Sequence, residues 1–305
     1  MKVLIATDGS ETAAAAVDFV ARFPFPADAS VTLLSVASQI HHRAEVLDGR
    51  HQEVLDAIDN FALTEAEDII AVQAKVFRDA GRPCSTQVRT GHPAEEIVMA
   101  AEETGADIIV VGSHGLTGVR RFLIGSVSSQ VLQSAHCSVL IVRQSEEAGE
   151  GRHVAPSHGR RWRLLVAYDD SIPARKAVEF CASLPLGDSA EVEVLTVLPL
   201  VTMFRQDIRQ ELNETWRQTT ETAKAALADA ATRVGRATPN VRTVLVESGD
   251  VGDAIINAAG RLESDLIIMG NKGKGAIERF LMGSVTPRVA YHTDRSVLAI
   301  RPSRT

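Results

Sequence analysis

The chain is 305 residues long, about twice a usual domain of roughly 150, so two domains are expected. Its make-up, 45% hydrophobic and 23% charged with nine Phe, two Trp and two Tyr, suits a soluble globular protein with an aliphatic, alanine-rich core. A net charge of −7 leaves no basic footprint for nucleic acid, the scattered Cys84, Cys137 and Cys181 argue against a disulfide framework or zinc site, and no run nears the roughly 18 apolar residues of a membrane span.

The opening "MKVLIATDGS" has too few apolar residues for a signal peptide and reads as a strand over 2–7, which makes the cytoplasm the expected compartment. Further short runs rich in Val, Ile and Leu predict strands over 31–36, 85–89, 107–111 and 138–142. Segments of helical period lie between them. In 63–80, Ala66, Ile69, Ile70, Gln73, Val76, Phe77 and Ala80 share one face, and Gly81 and Pro83 end it. Strands apolar on both faces, alternating with helices, predict an α/β fold with a parallel sheet covered by helices on both sides. Then "QSEEAGEGRHVAPSHGRR" (144–161) loses all period and reads as a flexible linker.

Beyond the linker the pattern starts again. "VLIATDGS" (3–10) matches "LLVAYDDS" (164–171), and "VTLLSVA" (31–37) matches "VEVLTVL" (192–198), both at an offset of 161. "TGHPAEEIVMAAEETGADIIVVG" (90–112) matches "SGDVGDAIINAAGRLESDLIIMG" (248–270), and "SVLIVR" (138–143) matches "SVLAIR" (296–301), at 158. The chain is a tandem duplication of one βα unit, with domains over 1–143 and 162–305. A retained two-fold contact between the copies, an internal pseudo-dimer, is expected from such a duplication.

"VGSHGLTGVRRFLIGSVS" (111–128) and "MGNKGKGAIERFLMGSVT" (269–286) share the frame Gly-x2-Gly-x9-Gly-Ser. Between 112–143 and 270–301 only 13 of 32 aligned positions agree, so the frame has outlasted much divergence. Each frame begins where a buried strand ends, the place where doubly wound sheets bind ligands. Glycines there can take positive φ or let backbone N–H groups approach an anion. Ser126 and Ser284 then read as N-caps of a following helix, whose N-terminus favours phosphate. The competing account is a turn with a capping serine. No Gly-x4-Gly-Lys-Ser/Thr run exists, and "GKGAIE" (273–278) ends in Glu where a dinucleotide fingerprint needs Gly.

Asp8 and Asp169 end the first strand of each copy, where a carboxylate can meet ribose hydroxyls or a metal, or hold a turn that caps the next helix. His41, His42 and His51 have no counterpart trio in the second copy and read as surface residues; His114 in the first frame is not kept in the second. Phe122-Leu123 and Phe280-Leu281 read as packing under the loop, and Arg121 and Arg279 as facing solvent.

Asp8 after strand one, the "GHPAEEI" turn and the glycine frame together resemble the universal stress protein (UspA) family, in a tandem form and in its ATP-binding subclass. The resemblance covers both copies. It implies two open five-stranded parallel sheets of order 3-2-1-4-5, similar to adenine-nucleotide α-hydrolases, with ATP across the strand ends. By that resemblance Asp8 sits near the ribose, Val36 offers backbone groups to adenine, and Gly112, Gly115, Gly125, Ser126 and Val127 line the triphosphate, with Mg²⁺ on the phosphates. In the second copy the matches are Asp169, Val197, Gly270, Gly273, Gly283, Ser284 and Val285. Family dimers pair through their last strands, so 138–142 would meet 296–300, and further homodimerisation stays open.

Departures are visible. Thr7 becomes Tyr168, Gly9 becomes Asp170, Pro93 becomes Val251, and Lys272 and Lys274 add positive charge at the second loop. No Ser-Gly-Gly-x-Asp-Ser, no His-x-Gly-His and no acid–base pair common to both copies appears, so the reading is a nucleotide-responsive binding module with no catalytic residues. A slow Mg-dependent ATP hydrolase and a nucleotide-free dimerisation scaffold are the alternatives.

Overall fold

A computed structural model of the chain describes residues 1–38, 49–115, 124–144, 156, 159–200, 209–273 and 282–302. His41, His42, Arg121, Phe122, Leu123, Lys274, Arg279, Phe280, Leu281 and most of 144–161 lie outside the described residues. The chain divides into two units, Met1–Ala155 and Pro156–Arg304.

In the first unit, apolar runs make the inner strands. β1 (Lys2–Ala6) is buried at every position but Lys2, and β4 (Ile108–Gly112) and β5 (Ser138–Val142) are buried throughout. With β2 (Ser30–Ala37) and β3 (Cys84–Thr90) they run parallel in the order β3-β2-β1-β4-β5. The chain leaves β1 for β2 on one side and reaches β4 on the other. That reversal opens a crevice beyond the carboxyl ends of β1 and β4, where both Asp8 and the glycine frame emerge.

The helices follow from their sequences. α1 (Glu11–Arg22) is alanine-rich, and Ser10 caps it by accepting the Ala13 N–H at 3.2 Å. Its small side chains let it approach the end of β4 closely. α3 (Pro93–Thr104) starts with proline at a position needing no N–H and ends at Gly105 in the left-handed region. α4 (Ser126–Ser134) leads into β5.

α2 (Gly49–Asp79) corrects the expected start at 63. Its first turns carry Val54, Ile58 and Phe61 exposed among charged residues, so no buried stripe marks them, yet Glu, Gln, Leu and Ala still favour helix. The expected face is met at Ala66, Ile70, Gln73 and Phe77, whereas Val76 faces solvent and Ala80 lies past the end. Gly81, at φ +66°, reverses the chain while Arg82 N–H bonds the Phe77 carbonyl at 2.8 Å.

The second unit repeats this plan. β6 (Trp162–Ala167), β7 (Ala190–Pro199), β8 (Val241–Ser248), β9 (Leu266–Gly270) and β10 (Ser296–Ile300) are parallel in the order β8-β7-β6-β9-β10. α5 (Ile172–Ser183), α6 (Arg209–Val234), α7 (Val251–Leu262) and α8 (Val285–His292) alternate with them. Where Pro93 gives way to Val251, Asp250 takes over, capping α7 through the Asp253 N–H at 2.9 Å. Among the described residues no helix is long and apolar enough to cross a membrane.

Candidate functional site

The site in each unit is assembled from two turns. In the first, Asp8 Oδ1 accepts the Ser10 N–H at 3.0 Å, so Asp8 holds the turn and Ser10, not Asp8, caps α1. Asp169 and Ser171 repeat the arrangement at 3.0 Å ahead of α5. Both serine hydroxyls also reach across to the second turn, Ser10 to the His114 carbonyl at 3.4 Å and Ser171 to the Lys272 carbonyl at 3.3 Å. Thr12 adds a bond to the same His114 carbonyl. The two turns are thereby stapled.

The second turn explains the glycines, and not as expected. None of Gly112, Gly115, Gly125, Gly270, Gly273 or Gly283 has a positive φ; Gly125 sits at −65°. The requirement is space. A Cβ on Gly112 would lie 2.6 Å from Thr12 Oγ1 and 2.7 Å from its carbonyl carbon, and one on Gly270 would lie 2.7 Å from Pro173 Cβ. Gly112 and Gly270 therefore let the first turns of α1 and α5 close on the strand ends. A Cβ on Gly115 would meet Asp8 Oδ2 at 2.7 Å, and one on Gly273 would meet Asp169 Oδ2 at 2.7 Å. The bare faces of Gly115 and Gly273 thus lie directly against the turn aspartates.

Gly125 and Gly283 are backbone crossings. Gly125 N–H donates to the Ser113 carbonyl at 2.7 Å, and Gly283 N–H to the Asn271 carbonyl at 3.0 Å. A Cβ would approach the His114 Cα at 3.3 Å or the Lys272 Cα at 3.2 Å, tighter than ordinary contact. Each crossing brings a helix N-terminus back beside the strand end.

The expected serine caps are corrected here. Ser126 is the first residue of α4, with Gly125 in the cap position, while Ser284 does hold the cap position of α8; neither α4 nor α8 receives a side-chain cap bond. The physical reason lies two residues on. Ser128 donates its hydroxyl to the Gly112 carbonyl at 2.6 Å, and Thr286 to the Gly270 carbonyl at 2.8 Å. This clamp fixes the helix start without spending its amides, and Ser126 and Ser284 stay exposed. The first N–H groups of a helix have no intrahelical partner, so an uncapped start is an anion-accepting edge. The recurring Ser128/Thr286 hydroxyl in "GSVS" and "GSVT" was the available signal for it.

Thus Asp8, Gly115 and Gly125 converge in the first unit, with Ser126 and Val127 at the adjoining helix start; Asp169, Gly273, Gly283, Ser284 and Val285 do so in the second. Val36 and Val197 stand near the ends of β2 and β7, both half-buried. In the second unit, Asp169, Val197, Gly273, Gly283, Ser284 and Val285 line one cleft of about 1150 Å³.

That cleft has a side wall the sequence did not disclose. Tyr168, 6% exposed, donates its hydroxyl to Asp170 Oδ1 at 2.8 Å, and Arg175 Nε reaches the same oxygen at 2.8 Å. Burial first, and the Asp170 bond second, push the Tyr168 phenol up to about 12, so it stays a donor. The carboxylate of Asp170 is paired with Arg175 rather than left facing an anion. Asp170 keeps the left-handed backbone of Gly9, φ +62° against +77°, a region aspartate tolerates better than most residues.

The amino-acid pattern and this geometry agree with a search among known proteins. A family model described as the universal stress protein family matches residues 1–143 and again 161–301. The chain belongs to the universal stress protein family. A universal stress protein from Mycolicibacterium smegmatis is 26% identical over 308 residues, covering 98% of this chain and 97% of its own. Universal stress protein YxiE from Bacillus subtilis is 33% identical over 145 residues, covering 47% of this chain and 98% of its own length, as a single copy would. The crystal structure of a universal stress protein from Archaeoglobus fulgidus shares the fold, with a TM-score of 0.62 at 20% identity over 99% of this chain and 96% of that one.

Proposed function

We propose that each unit binds an adenine nucleotide, ATP with Mg²⁺, and that the protein acts as a nucleotide-responsive regulatory module in the stress response its family is named for. The observation that carries the reading is an uncapped helix start joined to the glycine turn that lies against an aspartate: α4 through Gly125 and Gly115 to Asp8, α8 through Gly283 and Gly273 to Asp169. The amides of Ser126 and Val127, and of Ser284 and Val285, would receive the phosphates. Asp8 and Asp169 would take ribose hydroxyls or share Mg²⁺ with the phosphates, and the backbone near Val36 and Val197 would receive the base. The bound metal would neutralise phosphate charge beside the carboxylates.

Calorimetric titration of nucleotide-stripped full chain with Mg-ATP tests this. Two sites per chain are expected. No binding into the millimolar range would overturn it.

A further inference from the structure

We propose that the second unit's cleft takes a nucleotide enlarged on its base by an uncharged, largely apolar group, a larger ligand than ATP. The inference rests on the nucleotide reading of that site and extends it. At about 1150 Å³ the cleft exceeds the usual pocket range of roughly 300–1,000 Å³ for drug-sized ligands. Its surplus lies away from α8. From Val197 near the end of β7 it continues past Leu198 and Pro199 and along α6, whose Thr215, Gln218, Thr219, Thr222, Ala223 and Ala226 line it.

The chemistry of that wall narrows the class. Thr219 donates its hydroxyl to the Thr215 carbonyl at 2.8 Å, Thr222 to Gln218 at 2.8 Å, and Thr196 to Tyr168 at 2.8 Å. Tyr168 spends its own proton on Asp170. These four hydroxyls therefore have no proton left for a ligand, and the Gln218 amide is an uncharged polar neighbour on the same wall. Among the described residues lining the cleft there is no lysine or arginine, whereas Asp169 and Asp170 both line it. Along α6 a second phosphate group would find no cation among the described residues, so a neutral group suits the space better than an anionic one.

In the first unit a bulkier side chain stands at the matching helix position. Buried Ile70, Gln73 and Phe77 in α2 have the spacing of buried Leu227, Ala230 and Val234 in α6, which aligns Ile69 with Ala226. Ile69 lies over Gly9, within 3.0 Å of where a Cβ would stand. One helix position thus carries a bulky aliphatic side chain in one unit and a methyl in the other; the Asp170 side chain takes part of the room this frees, and Ala226 lines the remainder.

The test uses the full chain carrying Gly125→Val, which removes the first site, titrated with Mg-ATP, N6-benzyl-ATP and diadenosine tetraphosphate. N6-benzyl-ATP should bind about tenfold more tightly than ATP, and Ala226→Ile should abolish that gain while leaving ATP affinity in place. Thr219→Leu, on the same face, repeats the test if Ala226→Ile lowers the melting temperature. The proposal is overturned if N6-benzyl-ATP binds no more tightly than ATP, if diadenosine tetraphosphate outbinds it, or if the gain survives both bulky variants. In those cases ATP binding, and the reading beneath it, still stand. Absence of ATP binding itself would overturn both.

Discussion

The two units hold the same cradle and different walls. Gly115 against Asp8 and Gly273 against Asp169 give the same 2.7 Å approach, and the Ser128 and Thr286 clamps differ by only 0.2 Å, at 2.6 and 2.8 Å. Around them, Thr7, Gly9 and Ile69 in the first unit correspond to Tyr168, Asp170 and Ala226 in the second. Removing the bulk of Ile69 and adding the side chain of Asp170 are complementary changes at one spot. Backbone geometry that would receive an anion leaves little freedom, because any Cβ collides with backbone or carboxylate. The wall that would face the rest of a ligand is free to change so long as each change is repacked.

That contrast can be broken at its constant part first. Gly125→Val or Gly283→Val forces a side chain into a backbone crossing, and each variant should lose one of two Mg-ATP sites outright in a calorimetric titration. Loss of both sites from a single variant would mean that the units do not bind independently.

The clamps come next. Ser128→Ala and Thr286→Val each leave a buried carbonyl without its partner, so urea unfolding should report a loss of about 1–3 kcal/mol per variant. ATP affinity should fall only in the unit changed. A variant with unchanged stability would show that the hydroxyl is not fixing the helix start.

The variable part gives smaller effects. Tyr168→Phe removes one neutral-to-charged bond from Asp170 while Arg175 stays, and should cost about 1 kcal/mol in urea unfolding, more than Thr7→Val in the first unit. Smallest is a difference of caps. Asp250→Ala should cost about 1 kcal/mol at α7, whereas His92, which makes no side-chain cap bond, should be replaceable by Ala at under about 0.5 kcal/mol. Equal losses would show that proline at the start of α3 does not take over the role of the cap.

Much of this was legible from residues alone, for reasons particular elements make plain. Strands such as "IIVVG" and "LIIMG" are buried on both faces, so they write themselves as unbroken aliphatic runs. The glycine frame was legible because it stands twice in diverged surroundings. Its cause was not: positive φ and close approach both call for glycine, and only coordinates reveal that Gly125 crosses His114. The serine of Gly-Ser looked like a cap because capping is a local signal, whereas the clamp from Ser128 to Gly112 joins residues far apart in the chain. The first half of α2 was invisible since exposed Val54, Ile58 and Phe61 leave no buried stripe. The Tyr168–Asp170–Arg175 wall showed itself only as two departures from the first copy.

The central claim is that uncapped helix starts receive phosphate. The direct measurement is the amide NMR spectrum of the nucleotide-stripped chain on adding Mg-ATP. The account predicts that the largest shifts fall on Ser126, Val127, Ser284 and Val285, each pair vanishing with Gly125→Val or Gly283→Val respectively. Shifts confined to other residues, with those four amides unmoved at saturating ATP, would contradict it.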